Sequence, residues 1–186
     1  ISAQGQGGRQ VRDKNDQLFD HYAVEYTFPD GTRLFAQGRH MAGCFGFFGD
    51  VIHGAKGSAV LGEGIKDPQL FSSHVSCAGY RTAKDSQIWA YDGEPCNHYQ
   101  KEHDLLFDAI RNDKPHNEAE NGAIATMTAI LGRLATYSGK VVSWDGAMAS
   151  DIRLTIDAED WDADAPVQPR EDGSYEIAMP GKTKVL

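Results

Sequence analysis

Seven histidines lie among the 186 residues, and four of them sit where side-chain chemistry could be directed into a cleft: His21, His40, His53 and His103. Imidazole both donates and accepts hydrogen bonds and serves as a general acid or base. His98-Tyr99-Gln100-Lys101-Glu102-His103 looks at first like a zinc helix, but its spacing is H-x-x-x-E-H. Five helical steps turn the second imidazole about 140° from the first, so the two cannot share one tetrahedral ion. His103 is left to work alone from its helix, as a substrate hydrogen-bond partner or, more plainly, bonded to nearby backbone. Arg39 and His40 end a strand and point to opposite faces, so one of them at most lines a given cleft. The planar fork of Arg39 suits a carboxylate or a pair of sugar hydroxyls, or equally a surface salt bridge. Arg39, His40, Tyr99 and His103 are the substrate-side candidates, with His21 in reserve. No catalytic, cofactor-binding or metal-binding residue is assigned in the chain.

Other motifs dissolve when their spacing is tested. In Gly5-Gln6-Gly7-Gly8-Arg9-Gln10 the third glycine of a dinucleotide fingerprint is replaced by Gln10, and no helix pattern follows to present its N–H groups to a phosphate. A strand edge or turn is the better reading. Asp160, Asp162, Asp164 and Glu171 mimic a calcium loop, yet Ala165 stands where glycine is required and Pro166 and Pro169 intrude, which leaves a solvated acidic coil. Cys44, Cys77 and Cys96 are 33 and 19 residues apart and form neither a zinc knuckle nor a disulfide scaffold. No Gly-x-Ser-x-Gly elbow is present. Spacing alone names no reaction.

The elements that must position these residues are readable in part. Tyr22, Val24, Tyr26 and Phe28 alternate with His21, Ala23, Glu25 and Thr27, the period of a strand with one apolar face. Pro29-Asp30-Gly31 turns the chain into a partner strand over Thr32–His40, whose faces are Leu34, Ala36, Gly38, His40 and Phe35, Gln37, Arg39. Further strands are expected at Phe45–Ile52, Ser58–Leu61, Val75–Tyr80 and Gln87–Tyr91. After Pro95 the period changes. Leu105, Leu106, Ala109 and Ile110 mark an amphipathic helix over Tyr99–Asn112, with Pro115 beyond its end. A second helix is expected to start at Asn117, with Glu120 completing a capping box, to bury Ile124, Met127, Leu131 and Leu134, and to stop at Gly139. Strands first and helices after predict an α+β domain, in which a largely antiparallel, open-faced sheet carries helices on one side. The other face is left for solvent or a partner.

Composition narrows the function classes. With 40% hydrophobic and 24% charged residues the chain is an ordinary globular one. Eighteen Lys and Arg against 27 Asp and Glu give −9, which disfavours nucleic acid and anionic membranes as partners. No run of about 18 apolar residues is present to span a bilayer. One domain is expected over 1–186, with 157–186 an acidic, proline-containing tail wrapped on its surface. The opening at Ile1, without methionine, reads as a piece of something longer.

The ordered succession of segments adds a resemblance. Gly7-Gly8-Arg9-Gln10-Val11-Arg12, Asp20-His21-Tyr22-Ala23-Val24-Glu25-Tyr26, Asp30-Gly31-Thr32 and Gly54-Ala55-Lys56-Gly57-Ser58 lead into Glu102-His103-Asp104-Leu105-Leu106 and Asn117-Glu118-Ala119. Thr126 to Arg133, Trp144-Asp145 and Ala178-Met179-Pro180-Gly181 follow. Together they resemble the C-terminal domain of the Gfo/Idh/MocA oxidoreductases over nearly the whole chain. The resemblance implies a glyceraldehyde-3-phosphate dehydrogenase-like sheet domain that supplies the substrate wall and an oligomer contact through its sheet face. NAD or NADP would bind to an N-terminal Rossmann domain absent from this chain, together with the Glu-Lys-Pro lysine and the Asp/His pair of the family. The implied chemistry is oxidation of a sugar, cyclitol or related polyol, with the isolated chain inactive and binding no cofactor. Two alternatives belong beside it: a domain of an NAD-dependent glycoside hydrolase of the same superfamily, and a non-catalytic module that assembles through its sheet.

Overall fold

The computed structural model describes residues 1–62, 75–79, 84–93, 97–153, 155–156 and 162–185. Pro95, Cys96, Tyr80, Asp157, Glu159 and Asp160 lie outside them. Among these described residues the architecture is α+β, with two four-stranded antiparallel sheets and three α-helices. The chain divides into two compact units, residues 1–42 with 117–186, and residues 43–116.

In the first unit, β1 (Ser2–Gly8), β2 (His21–Thr27), β3 (Arg33–Arg39) and the short β8 (Val142–Ser143) form a sheet of order β3-β2-β1-β8. The β2–β3 hairpin closes as its sequence demands. The Phe28 N–H donates to the Thr32 carbonyl at 2.9 Å, Gly31 takes φ 86°, and the Asp30 carboxylate accepts the Thr32 N–H and hydroxyl, each at 2.9 Å. Those bonds hold the Asp30 carboxyl below its ordinary range.

The glycine-rich opening is a strand, and its glycines answer to the helix above it. Helix α2 (Ala119–Ser138) lies on the face made by Ala3, Gly5, Gly7, Val24 and Tyr26. A Cβ on Gly5 would meet Thr136 Oγ1 at 2.5 Å, and one on Gly7 the His21 carbonyl at 2.6 Å and Thr136 Cγ2 at 2.7 Å. Gly132 accepts the Tyr26 ring in the same way, and the Tyr26 hydroxyl donates to the Thr128 carbonyl at 3.0 Å. The core is therefore Ala3, Val24, Tyr26, Leu131, Ala135, Val142 and Ala147, with Met127 and Leu134 packed at its margin. Ile124, expected inside, is exposed, because only the C-terminal half of α2 lies over the sheet.

The start of α2 also differs from expectation. Asn117 accepts the Ala119 N–H at 3.0 Å, but the cap position falls on Glu118 and the expected capping box does not form. At the far end, Gly139 adopts the left-handed φ of 68° as its type allows. The tail docks there through the Gly181 N–H on the Ser138 carbonyl, 2.7 Å. Its described residues from 162 contain neither helix nor strand, in keeping with an acidic coil. The five-residue α3 (Trp144–Met148) follows β8 and is capped by Ser143.

The second unit holds β4 (Gly49–His53), β5 (Gly57–Gly62), β6 (Val75–Ala78) and β7 (Gln87–Ala90) as an antiparallel meander, followed by α1 (His98–Arg111). Sequence alternation places these strands close to where they lie but gathers them into the one sheet with β1–β3, whereas among the described residues they pair with one another in a separate sheet. Phe45 to Phe48, expected in the first of them, precede it. Val60, Val75 and Cys77 are buried together. Asn97 caps α1, accepting from the Tyr99 and Gln100 N–H groups. Of the apolar residues expected to bury this helix only Ala109 is buried, and Leu105, Leu106 and Ile110 are exposed.

Candidate functional site

The sheet of the first unit has one face under α2 and one open face, and strand register lays the open face out in rows. Across β1, β2 and β3 the rows read Ser2, Thr27, Arg33; Gln4, Glu25, Phe35; Gln6, Ala23, Gln37; and Gly8, His21, Arg39. Cross-strand neighbours stand about 4.5–5.5 Å apart, so each row and its diagonals can engage one small ligand. Three primary amides, a carboxylate, two guanidinium groups, an imidazole and the ring of Phe35, 65% exposed, share this surface. The Glu25 carboxylate is held between Gln4 Nε2, at 3.2 Å, and the Arg33 guanidinium.

A concavity of about 530 Å³ opens over this face. It runs from Phe35 and Gln37 across Ala23 and Glu25 to Gln4 and Gln6, then over the edge of β1 toward Thr136 and Lys140. Strand β8 pairs with Ser2 and Ala3, and among the described residues no strand pairs with that edge beyond Ala3.

At the Gly8 end, a second feature was only partly visible in the sequence. The Asp20 side chain is buried beside β2, and its Oδ2 accepts the N–H groups of Gln10, Val11 and Arg12 at 2.8, 2.7 and 2.9 Å. Its Oδ1 lies 2.8 Å from His21 Nδ1. Burial alone would raise the Asp20 carboxyl, but the imidazole and the three amides outweigh it and hold the group well below the usual carboxylate range. The intervening loop is tied by its own charges. Arg9 reaches the Arg12, Lys14 and Asp16 carbonyls, and Arg12 grips the Asp16 carboxylate, which is held low chiefly by that bond. Phe19 packs tilted against Tyr137 of α2 with ring centroids 4.2 Å apart, and Arg133 lies over the same Tyr137 ring at 4.6 Å.

The four substrate candidates fall into two pairs in different units. Arg39 closes β3 opposite His21, and His40 follows it, exposed, with its N–H on the Asp20 carbonyl at 2.8 Å. Tyr99 and His103 lie one turn apart on α1. Both are exposed, and His103 Nδ1 bonds the Tyr99 carbonyl at 2.7 Å. His53 ends β4, exposed. The amides Gln4, Gln6 and Gln37 and the carboxylate Asp20 were not singled out from the sequence. The face Phe35, Gln37, Arg39 read from the sequence pointed at Gln37, and no such signal pointed at Gln4, Gln6 or Asp20.

Among the described residues no cluster of three or more His, Cys, Asp or Glu is disposed to hold a metal ion, and no helix is long and apolar enough to cross a membrane. Cys44 is exposed and Cys77 buried. No family model, curated protein or solved structure matches the chain.

Proposed function

We propose that the open face of the first sheet is the substrate wall of an NAD- or NADP-dependent oxidoreductase acting on a sugar, cyclitol or related polyol. The observation that carries this reading is the planar polar side chains of two adjacent rows, Gln4 and Glu25 in one and Gln6 and Gln37 in the next, beside the exposed ring of Phe35 under one concavity. Planar amides and carboxylates match the paired donors and acceptors of vicinal hydroxyls, and an exposed aromatic ring takes the apolar C–H face of a sugar. The resemblance to the Gfo/Idh/MocA C-terminal domain supplies the reaction class, with NAD or NADP falling to a Rossmann domain and not to these residues.

An assembly role is favoured by a different observation. On the second sheet, register puts Ile52, Ala59, Ser76 and Trp89 on one row, with Ile52 and Trp89 both exposed. Such a face fits self-association of the chain.

The test of the first reading is a titration of the chain with myo-inositol, glucose and, as an apolar control, 1-propanol, following the side-chain amide resonances of Gln4, Gln6 and Gln37. Saturable shifts with a polyol and none with propanol are expected. Equal responses to all three, or none to any, would refute it.

A further inference from the structure

We infer that Asp20 and His21 form an acid/base pair, in which His21 accepts through Nε2 the proton of a ligand hydroxyl lying over Gly8. The inference rests on the reading of the open face as a polyol site, and it places a proton acceptor within this chain where the sequence assigned none.

The geometry fixes the ring. Asp20, its side chain 1% exposed, receives three backbone N–H groups on Oδ2 and stands 2.8 Å from His21 Nδ1 through Oδ1. An ionised carboxylate only accepts, so Nδ1 must carry the hydrogen, and a neutral ring then leaves Nε2 as a bare lone pair. That orientation by a buried carboxylate is the arrangement that readies an imidazole as a base. The outer part of the ring remains available, with the side chain 39% exposed.

The cross-strand neighbour of His21 on one side is Gly8. A Cβ there would stand 3.5 Å from Cε1 and 3.7 Å from Nε2, so the glycine leaves open the space beside the lone pair that any other residue would fill. The diagonal positions are Gln6 and Gln37, and Arg39 lies opposite on β3. A polyol engaged by the two amides thus extends a hydroxyl toward Nε2. In the step itself the ligand O–H bond breaks, its electron pair stays on oxygen, and the proton moves to Nε2. The resulting imidazolium keeps its Nδ1–H on the Asp20 carboxylate, which offsets the new charge.

Asp20 is a positioning residue, and the three amides make its role separable from folding. In Asp20→Asn the carbonyl oxygen is required on the Gln10, Val11 and Arg12 N–H groups, so the side-chain NH₂ must face Nδ1. The ring is then driven to the Nε2–H tautomer, with its acceptor turned away from the ligand.

The experiment is long-range ¹H–¹⁵N spectroscopy of the histidine rings in the full chain, at a pH where His21 is neutral, with and without the polyol that shifts the glutamine amides. The wild-type protein is expected to show His21 with Nδ1–H and a pyridine-type Nε2 whose resonance moves on polyol addition. Asp20→Asn is expected to show Nε2–H and to lose that movement. An Nε2–H tautomer in the wild type overturns the inference, and this spectrum decides even where the variant does not fold. Polyol shifts at Gln6 and Gln37 with His21 Nε2 unmoved overturn it while leaving the substrate-wall reading intact, whereas no shift at either overturns both.

Discussion

Asp20 ties three consecutive backbone amides and an imidazole to one buried carboxylate, so its ionisation is coupled to the fold. Its folded-state value lies below the ordinary value of about 3.9. Its contribution to stability is therefore fully present above that ordinary value and is lost as pH falls through the lower folded one. Asp16, held low mainly by Arg12, adds to the same window. Asp20→Asn is expected to be less stable than the wild type at neutral pH, with the difference closing below about pH 4. Urea unfolding of both proteins across pH 2.5–7 measures this, and parallel curves would contradict it. At this scale the sequence was legible only where chemistry is local. Asp30 and Gly31 announce their turn within four residues, whereas Asn97, the cap of α1, was not read from the sequence and the cap expected at Asn117 fell on Glu118. The bonds of Asp20 reach back eight to ten residues to amides that any sequence could have supplied.

Helix α2 sits where it does because small residues on both surfaces let it approach. Gly132→Ala would place a methyl group 2.1 Å from the hydroxyl oxygen of Tyr26, which is buried in the core under α2. The cost expected of such overpacking is about 1–3 kcal/mol. Tyr26→Phe in the same chain removes the atom struck, so thermal unfolding of the two single variants and the double should show the clash penalty reduced in the Phe background. Additive losses would mean that the helix is seated by other contacts. The same small residues explain what periodicity could and could not reveal. The β2–β3 hairpin was readable because its apolar residues alternate and its turn residues are decisive. Strand β1 shows no alternation of apolar and polar residues, since Gly5 and Gly7 face the helix and Gln4 and Gln6 the open side. The sequence left a strand edge or a turn as the reading of this stretch, and the close packing that demands its glycines accounts for the strand.

For the molecule as a whole, alternation tells which residues share a face but not which strands share a sheet. The division into β3-β2-β1-β8 and β4-β5-β6-β7 was accordingly not legible, although the α+β class and antiparallel pairing were. The division matters to function, because it gives the chain two faces of opposite character. One is polar, with Gln4, Gln6, Glu25 and Gln37. The other exposes Ile52 and Trp89. If the second serves self-association, sedimentation velocity will show the wild-type chain larger than a monomer and Trp89→Lys returned to one, and a wild-type monomer at high concentration would contradict that role. The central claim concerns the first face, and its affinity for a polyol tests it most directly. A small-molecule site of this openness is expected to bind with a dissociation constant in the millimolar range, on the order of 4 kcal/mol. Calorimetric or NMR titration of the wild type, Gln37→Ala and Phe35→Ala with the best polyol should show affinity falling about tenfold in each variant, which corresponds to about 1.4 kcal/mol. Unchanged affinity in both variants would contradict the account.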